Sequence, residues 1–388
     1  MMDPKGFETE QHQEQEKLRA MYENAPATKD SGAKAENTSF AAESYPTGLP
    51  QDIKAIELPA EEVLKYFDWR MFYAIWGVKY GSAVPEAMEL VQLRRDAEDE
   101  LALEDFKIML GARFFPATAD KEDSICFEAD GKEVRMPMMR QGNGKGLSLA
   151  DFVTPEGGGQ KSAFGMFAIS VHKRSKAHVH GCSCPACSNA YEDMIGRTVR
   201  MTLAEAASKW LESLLLQGPP SHSATPPSRG WHIPYATNYS RHPLPEDGQM
   251  PIPAISLPVG CKIIKPAAGY ASCPDHTLKE DILRLLCGHV HIHDSDIHRH
   301  EDNHGHGCTC GHCHEHEQEH QATIHLGIEL TESYAMVPEA SICGLIFPHP
   351  EASYPEIRRI SQEQYDSYAA RRSMDPEKAR RFLGHLLK

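Results

Sequence analysis

No run in this 388-residue chain approaches the roughly 18 consecutive apolar residues that a membrane-spanning helix requires. Its first residues, Met1-Met2-Asp3-Pro4-Lys5-Gly6, contain no apolar core of a secretory leader. A cytoplasmic location is therefore expected, and the 11 cysteines read as thiols or metal ligands before disulfides. Positive charge is also scarce: 40 Lys and Arg stand against 55 Asp and Glu, for a formal net charge of −15. That balance argues against nucleic acid or an anionic membrane as partner, since both demand a basic footprint. Apolar residues make up only 40% of the chain, and the mean hydropathy is −0.48. Part of the sequence is thus expected to lie outside any core. No P-loop or nucleophile triad is evident.

What is present divides unevenly. Residues 1–50 are rich in Glu, Gln, Lys, Ala, Ser and Thr, with little apolar periodicity, and read as a disordered tail. Globular sequence begins near Leu58, where Pro59-Ala60-Glu61-Glu62 opens a helix with acidic residues in its first turn. Apolar periodicity predicts helices over 85–110, with Ile108 closing the stripe, and over 193–216, 277–286, 361–372 and 375–387. Strand-like runs occupy 111–116, 124–128, 165–171, 324–332 and 341–347. The pattern is that of a mixed α+β chain around one core. Three segments interrupt it. Residues 218–260 hold ten of the 27 prolines, too many for a helix or central strand. Residues 171–190 and 287–320 are rich in His and Cys.

Those two His/Cys segments share an internal repeat. His178, His180, Cys182, Cys184 and Cys187 form H-x-H-G-C-x-C-x-x-C, and His304, His306, Cys308, Cys310 and Cys313 form it again. Each copy offers three thiolates and two imidazoles, enough for a closed tetrahedral site. Zinc is the expected ion for mixed sulfur and nitrogen ligation in a reducing compartment. An iron–sulfur cluster is a minor alternative that the paired histidines disfavour.

A series of strings then occurs in one order. They are Phe67-Asp68-Trp69, Phe115-Pro116-Ala117, Leu149-Ala150-Asp151-Phe152-Val153, Leu203-Ala204-Glu205-Ala206 and Lys265-Pro266-Ala267-Ala268-Gly269-Tyr270. Cys273-Pro274-Asp275-His276-Thr277-Leu278-Lys279, Leu330-Thr331-Glu332-Ser333-Tyr334-Ala335-Met336 and His349-Pro350-Glu351-Ala352-Ser353-Tyr354 follow. Together they closely resemble the C-terminal activation domain of cobalamin-dependent methionine synthase, over residues 58–387 and broken by the three insertions. The resemblance implies a single helmet-like or C-shaped α+β domain with a mainly antiparallel sheet and flanking helices. It also implies binding of S-adenosylmethionine. In that family the domain presents this ligand to a cobalamin that has been oxidised to cob(II)alamin, while flavodoxin or another one-electron reductase supplies an electron. Methylation then restores the active cofactor. The family's cobalamin-module signature D-x-H-x-x-G is missing here: Asp296-Ile297-His298 comes nearest, but Glu301 stands at the glycine position. The expected arrangement is a stand-alone activation subunit acting on a cobalamin-bearing methionine synthase subunit.

Carried over residue by residue, the resemblance places ligand contacts at Asp68, Glu205, Lys265, Gly269, Tyr270, Tyr354 and Pro355. It assigns no catalytic acid or base, because the sulfonium already activates the methyl group. Carboxylates suit the ligand's cationic groups, a cation its carboxylate, and aromatic faces its rings. Each residue alone has a commoner role: Asp68 as a helix cap, Glu205 on a solvated helix face, the tyrosines as core aromatics, Gly269 in a turn. Lys265 replaces the family's arginine, giving a point charge where a bidentate fork is usual. Ala268 and Ala271 replace prolines, which predicts a looser loop. Two other readings compete: a metal-binding or storage protein on a retired activation fold, and an S-adenosylmethionine sensor without partner chemistry.

Overall fold

The computed structural model of the chain describes residues 40, 45–50, 52–78, 88–142, 146–174, 190–217, 261–288, 290, 292–293 and 326–387. The elements run in chain order as β1 (Ile53–Leu58), α1 (Ala60–Leu64), α2 (Trp69–Ile75), α3 (Met88–Ala102), β2 (Phe106–Ala119), β3 (Ser124–Ala129) and β4 (Lys132–Pro137). They continue as β5 (Ser162–Lys173), α4 (Ala190–Gln217), β6 (Lys262–Ile264), α5 (Leu278–Cys287), β7 (Ile292–His293) and β8 (Glu329–Thr331). The last are β9 (Met336–Val337), β10 (Ser341–His349), α6 (Gln362–Arg371) and α7 (Pro376–Leu383). A seven-stranded sheet has the order β4-β3-β2-β5-β10-β6, with β1 also on β2. All its pairings are antiparallel. A small sheet, β7-β8-β9, holds the parallel pair β7 and β8. The fold is α+β with a mainly antiparallel sheet, as expected.

The sheet's alternation divides the core. In β2, Ile108, Leu110, Ala112 and Phe114 face one side, and Met109, Phe115, Ala117 and Ala119 the other. Strand β5 is buried on both faces from Ser162 to Val171. One side is covered by α4 through Val199, Leu203, Ala207 and Leu211, with Val63, Phe72 and Ala97 from α1 to α3. The other is covered by α5 through Ile282, Leu283 and Leu286 and by the 3₁₀ turn Leu149–Phe152. A satellite cluster of Ile357, Ile360, Tyr368, Leu383 and Leu386 joins α6 and α7. The expected single core is thus two cores separated by the sheet.

Other expectations also change. The helix predicted over 85–110 ends at Ala102, and Ile108 lies in β2. Glu104 has φ 48°, a left-handed conformation that stops the helix and reverses the chain. The tail does not stay free to residue 50. Tyr45 is buried, its phenol donates to the Asp151 carbonyl at 3.3 Å, and the Pro46 carbonyl accepts from the Ala163 N–H at 2.6 Å. Phe40 stacks on Phe152, with centroids 5.8 Å apart. Within the His-rich segment 287–320, Ile292–His293 forms β7.

A buried polar network ties the segment before α5 to the end of α6. The Asp275 carboxylate is 1% exposed and lies 3.3 Å from the Arg372 guanidinium. It also accepts the Tyr368 phenol and the Thr277 N–H, each at 2.8 Å. Arg372 pairs with Asp281 as well. Asp275→Ala is expected to lower the unfolding free energy by about 3–5 kcal/mol, because the guanidinium loses the more buried of its two counter-charges and the Tyr368 phenol its acceptor. Urea titration checks this; a loss below about 1 kcal/mol would show that water already carries the interaction.

Candidate functional site

Helix α4 supplies the site's main wall. Its first turn carries Glu192 and Asp193, which suit the helix dipole. Glu205, Ser208, Lys209 and Glu212 then follow at i, i+3, i+4 and i+7, so they line one face. Asp68 reaches that face from the N-terminus of α2. It caps the helix, with Oδ1 accepting from the Arg70 N–H at 3.0 Å. Its Oδ2 accepts from Lys209 Nζ at 2.8 Å. That hydrogen bond, with smaller help from the Arg70 N–H, holds the Asp68 carboxyl below the usual range. The helix cap and the bond to Lys209 thus fall on different oxygens of one carboxylate.

The segment after β6 supplies the second wall. Lys265 is 6% exposed in its side chain and lies 3.1 Å from Glu212. Its ammonium also donates to the Ser208 carbonyl and, at 3.0 Å, to the Ser208 hydroxyl. Burial pushes the Lys265 ammonium down, and Glu212 only partly offsets it. The Lys265 N–H donates to the Tyr354 phenol at 2.9 Å, which joins this segment to the one following β10. Pro355, next along, is buried. Tyr270 and Tyr354 are 66% and 52% exposed, so neither is a core aromatic.

Close backbone packing seats this segment. The Pro266 carbonyl accepts from the Leu345 N–H at 3.0 Å, and the Ala268 N–H donates to the Cys343 carbonyl at 3.2 Å. Between them lies Gly344, where a Cβ would sit 2.5 Å from the Pro266 oxygen. Gly269 has φ +93°, and a Cβ there would meet the His276 ring at 2.4 Å. At Ala268 the loop gains a tie where a looser loop is expected from the loss of proline. The amide that a proline would lack makes a hydrogen bond to β10 instead.

Glu205 sits between the two lysines. Burial raises its carboxyl pKa despite the opposing pull of Lys265 and Lys209. It also raises the Tyr270 phenol slightly further than burial alone does. An open cleft of ≈ 350 Å³ is lined by Tyr66, Lys209, Glu212, Ser213 and Leu216, and by none of the predicted contact residues. The structure thus brings Asp68, Glu205, Lys265, Gly269, Tyr270, Tyr354 and Pro355 to α4 and the two segments that face it. Sequence reasoning missed Ser208, Lys209 and Glu212. Their signal was available: they share the helical face of Glu205.

The proposed metal ligands His178 to Cys187 and His304 to Cys313 lie outside the described residues. Among the described residues, no group of three or more His, Cys, Asp or Glu is placed to hold a metal ion. Among them too, no helix is long and apolar enough to cross a membrane.

A charged carboxyl kept where its neutral form is favoured costs stability above the ordinary carboxyl range and nothing below it. Glu205→Gln is therefore expected to raise the thermal midpoint of the ligand-free protein at neutral pH. The difference should shrink as pH falls through the folded-state pKa of Glu205. Melting curves across a pH series decide it: a lower midpoint for the variant at neutral pH would mean that the lysines already compensate the charge.

Comparison with known proteins follows the same outline. A family model described as "Vitamin B12 dependent methionine synthase, activation domain" matches residues 59–217 and 311–373. Asp68, Glu205, Lys209 and Tyr354 lie within those stretches; Lys265, Gly269 and Tyr270 fall in the interval between them. A crystal structure of the MetH reactivation domain bound to AdoHcy is similar in fold, with a TM-score of 0.59 and 23% identity. The alignment covers 91% of this chain and 97% of that one.

Proposed function

The chain belongs to the activation-domain family of vitamin B12-dependent methionine synthase, and we propose that it binds S-adenosylmethionine and offers the methyl group to cobalamin. The cobalamin is carried by a methionine synthase module outside these 388 residues, which contain no D-x-H-x-x-G signature. The observation that carries this reading is the constellation around α4: the carboxylates of Glu205 on that helix and of Asp68 at the start of α2, set among ammonium groups, with two exposed phenols on the facing segments. The MetH reactivation domain is bound to AdoHcy, the product that methyl transfer from S-adenosylmethionine leaves.

The site's charges suit such a ligand. S-adenosylmethionine carries a sulfonium, an α-ammonium and a carboxylate. Asp68 and Glu205 are anions for the first two, and an ammonium group of the site is a cation for the third. Glu205 is held in an environment that disfavours its charge, so a cationic ligand beside it relieves a strain already built into the fold. Tyr270 and Tyr354 offer faces to an adenine or to a sulfonium. The Tyr354 ring is positioned by its hydrogen bond from the Lys265 N–H. The protein's part is to orient the methyl group and exclude water from it; no side chain has to move a proton. Cobalamin supplies the nucleophile once a flavodoxin or another one-electron reductase has delivered an electron.

Calorimetric titration with S-adenosylmethionine tests the reading. Asp68→Ala is expected to weaken binding at least tenfold, since a charge-assisted contact is worth about 1.5–3 kcal/mol. No heat and no thermal shift at millimolar ligand would refute it.

We also propose zinc at the His/Cys repeats, on the strength of the two matching ten-residue patterns beginning at His178 and His304. Metal analysis of untagged protein is expected to find zinc that is lost in Cys182→Ser and Cys308→Ser. Iron with sulfide, or no metal, would contradict that assignment.

A further inference from the structure

The two cations of the site are not equivalent. The Lys265 ammonium has three N–H donors, and three acceptors surround it: the Ser208 carbonyl, the Ser208 hydroxyl and Glu212. Its side chain is almost wholly buried, and Ser208 is buried with it. To meet a ligand's carboxylate, Lys265 would have to give up one of these three acceptors and re-aim its ammonium from within a packed interior. Lys209 is different. Its side chain is 48% exposed, its ammonium lies 2.8 Å from Asp68, and it borders the open cleft beside Glu212. An exposed ion pair of this kind is easily exchanged, because water screens it and solvates both partners when they part.

Resting on the function proposed above, we propose that Lys209, not Lys265, is the cation that receives the carboxylate of S-adenosylmethionine. In the ligand-free protein the Lys209 ammonium occupies Asp68 in the place that the ligand's own α-ammonium takes. Binding is then an exchange of ion pairs. The ligand's ammonium replaces Lys209 at Asp68, and the released lysine, one helical turn from Glu205, turns to the ligand's carboxylate. Asp68 keeps a cationic partner at both stages, and Glu205, which has no ion pair among the described residues of the ligand-free protein, gains one from the ligand. With Glu205 ionised, the three carboxylates Asp68, Glu205 and Glu212 exceed the two lysines by one charge, which matches the single net positive charge of the ligand. Lys265 remains a positioning residue: it braces α4 against the segment that carries Gly269 and Tyr270.

The experiment is calorimetry on the full chain with two probes, S-adenosylmethionine and decarboxylated S-adenosylmethionine, which keeps the amine and sulfonium but lacks the carboxylate. Wild-type protein is expected to prefer the carboxylated ligand at least tenfold, as about 1.4 kcal/mol of contact energy requires. Lys209→Met should abolish the preference, since it removes the carboxylate's partner while freeing Asp68 for the amine of either ligand, and Lys209→Arg should restore it. Lys265→Met should keep the preference while lowering the thermal midpoint and weakening both ligands together; where that variant does not fold, the two Lys209 variants decide the matter. A Lys209→Met protein that still prefers the carboxylated ligand overturns the assignment, as does a Lys265→Met protein that has lost the preference. Equal binding of both ligands by the wild type overturns it as well, but leaves the proposed function standing. Only a wild type that binds neither ligand refutes that function itself.

Discussion

Burial of β5 on both faces is the constraint from which the rest of the architecture follows. A strand with apolar side chains pointing both ways needs cover on both sides. Its neighbours β2 and β10 extend the demand across the sheet. Helix α4 meets it on one side and α5 with the Leu149–Phe152 turn on the other. The position of α4 is therefore set by apolar packing through Leu203, Ala207 and Leu211. Its charged face, bearing Glu205 and Lys209, is directed by what lies beneath it. The placement of those charges is a consequence of the helix's burial rather than an addition to it.

The same logic places the opposing wall. The segment from Lys265 to Tyr270 lies over β10 at Gly344, where a side chain would collide with the Pro266 carbonyl. This close approach lets the loop bond both above and below Gly344. It also brings the buried Lys265 ammonium onto the backbone of α4. Sheet, helix and loop are thus joined at one lysine. In the ligand-free protein Lys209 pairs with Asp68 and Lys265 with Glu212. Under the proposed function, binding replaces the first of these ion pairs by another rather than creating every charge contact from nothing.

Much of this was legible in the sequence, because the strings from Phe67 to Tyr354 are distinctive and occur in one order. Strand-like runs exposed the middle of β2 and most of β5 and β10, and helical spacing exposed α4 nearly to its ends. The misreadings have physical causes. The run from Met88 to Leu110 keeps an apolar stripe across a helix and the strand that follows, and only the left-handed Glu104 separates them. The division of one core into two depends on which strands pair, a long-range property that a local pattern does not carry. Asp68 and Lys265 were found by resemblance, but resemblance treats each residue as a free contact. That Lys265 is enclosed by Ser208 and Glu212, and that Lys209 holds Asp68, follows from the packing of α4 against two distant segments. The docking of Tyr45 under Asp151 was likewise hidden in a tail whose composition is polar.

The central claim concerns methyl transfer. The most direct test mixes this protein with a methionine synthase module carrying cob(II)alamin, a one-electron reductant and S-adenosylmethionine labelled at its methyl carbon, and follows label into cobalamin. The account predicts labelled methylcobalamin only when this chain is present, and its loss with Asp68→Ala. Label transfer that proceeds equally well without the chain, or unchanged with that variant, would contradict it.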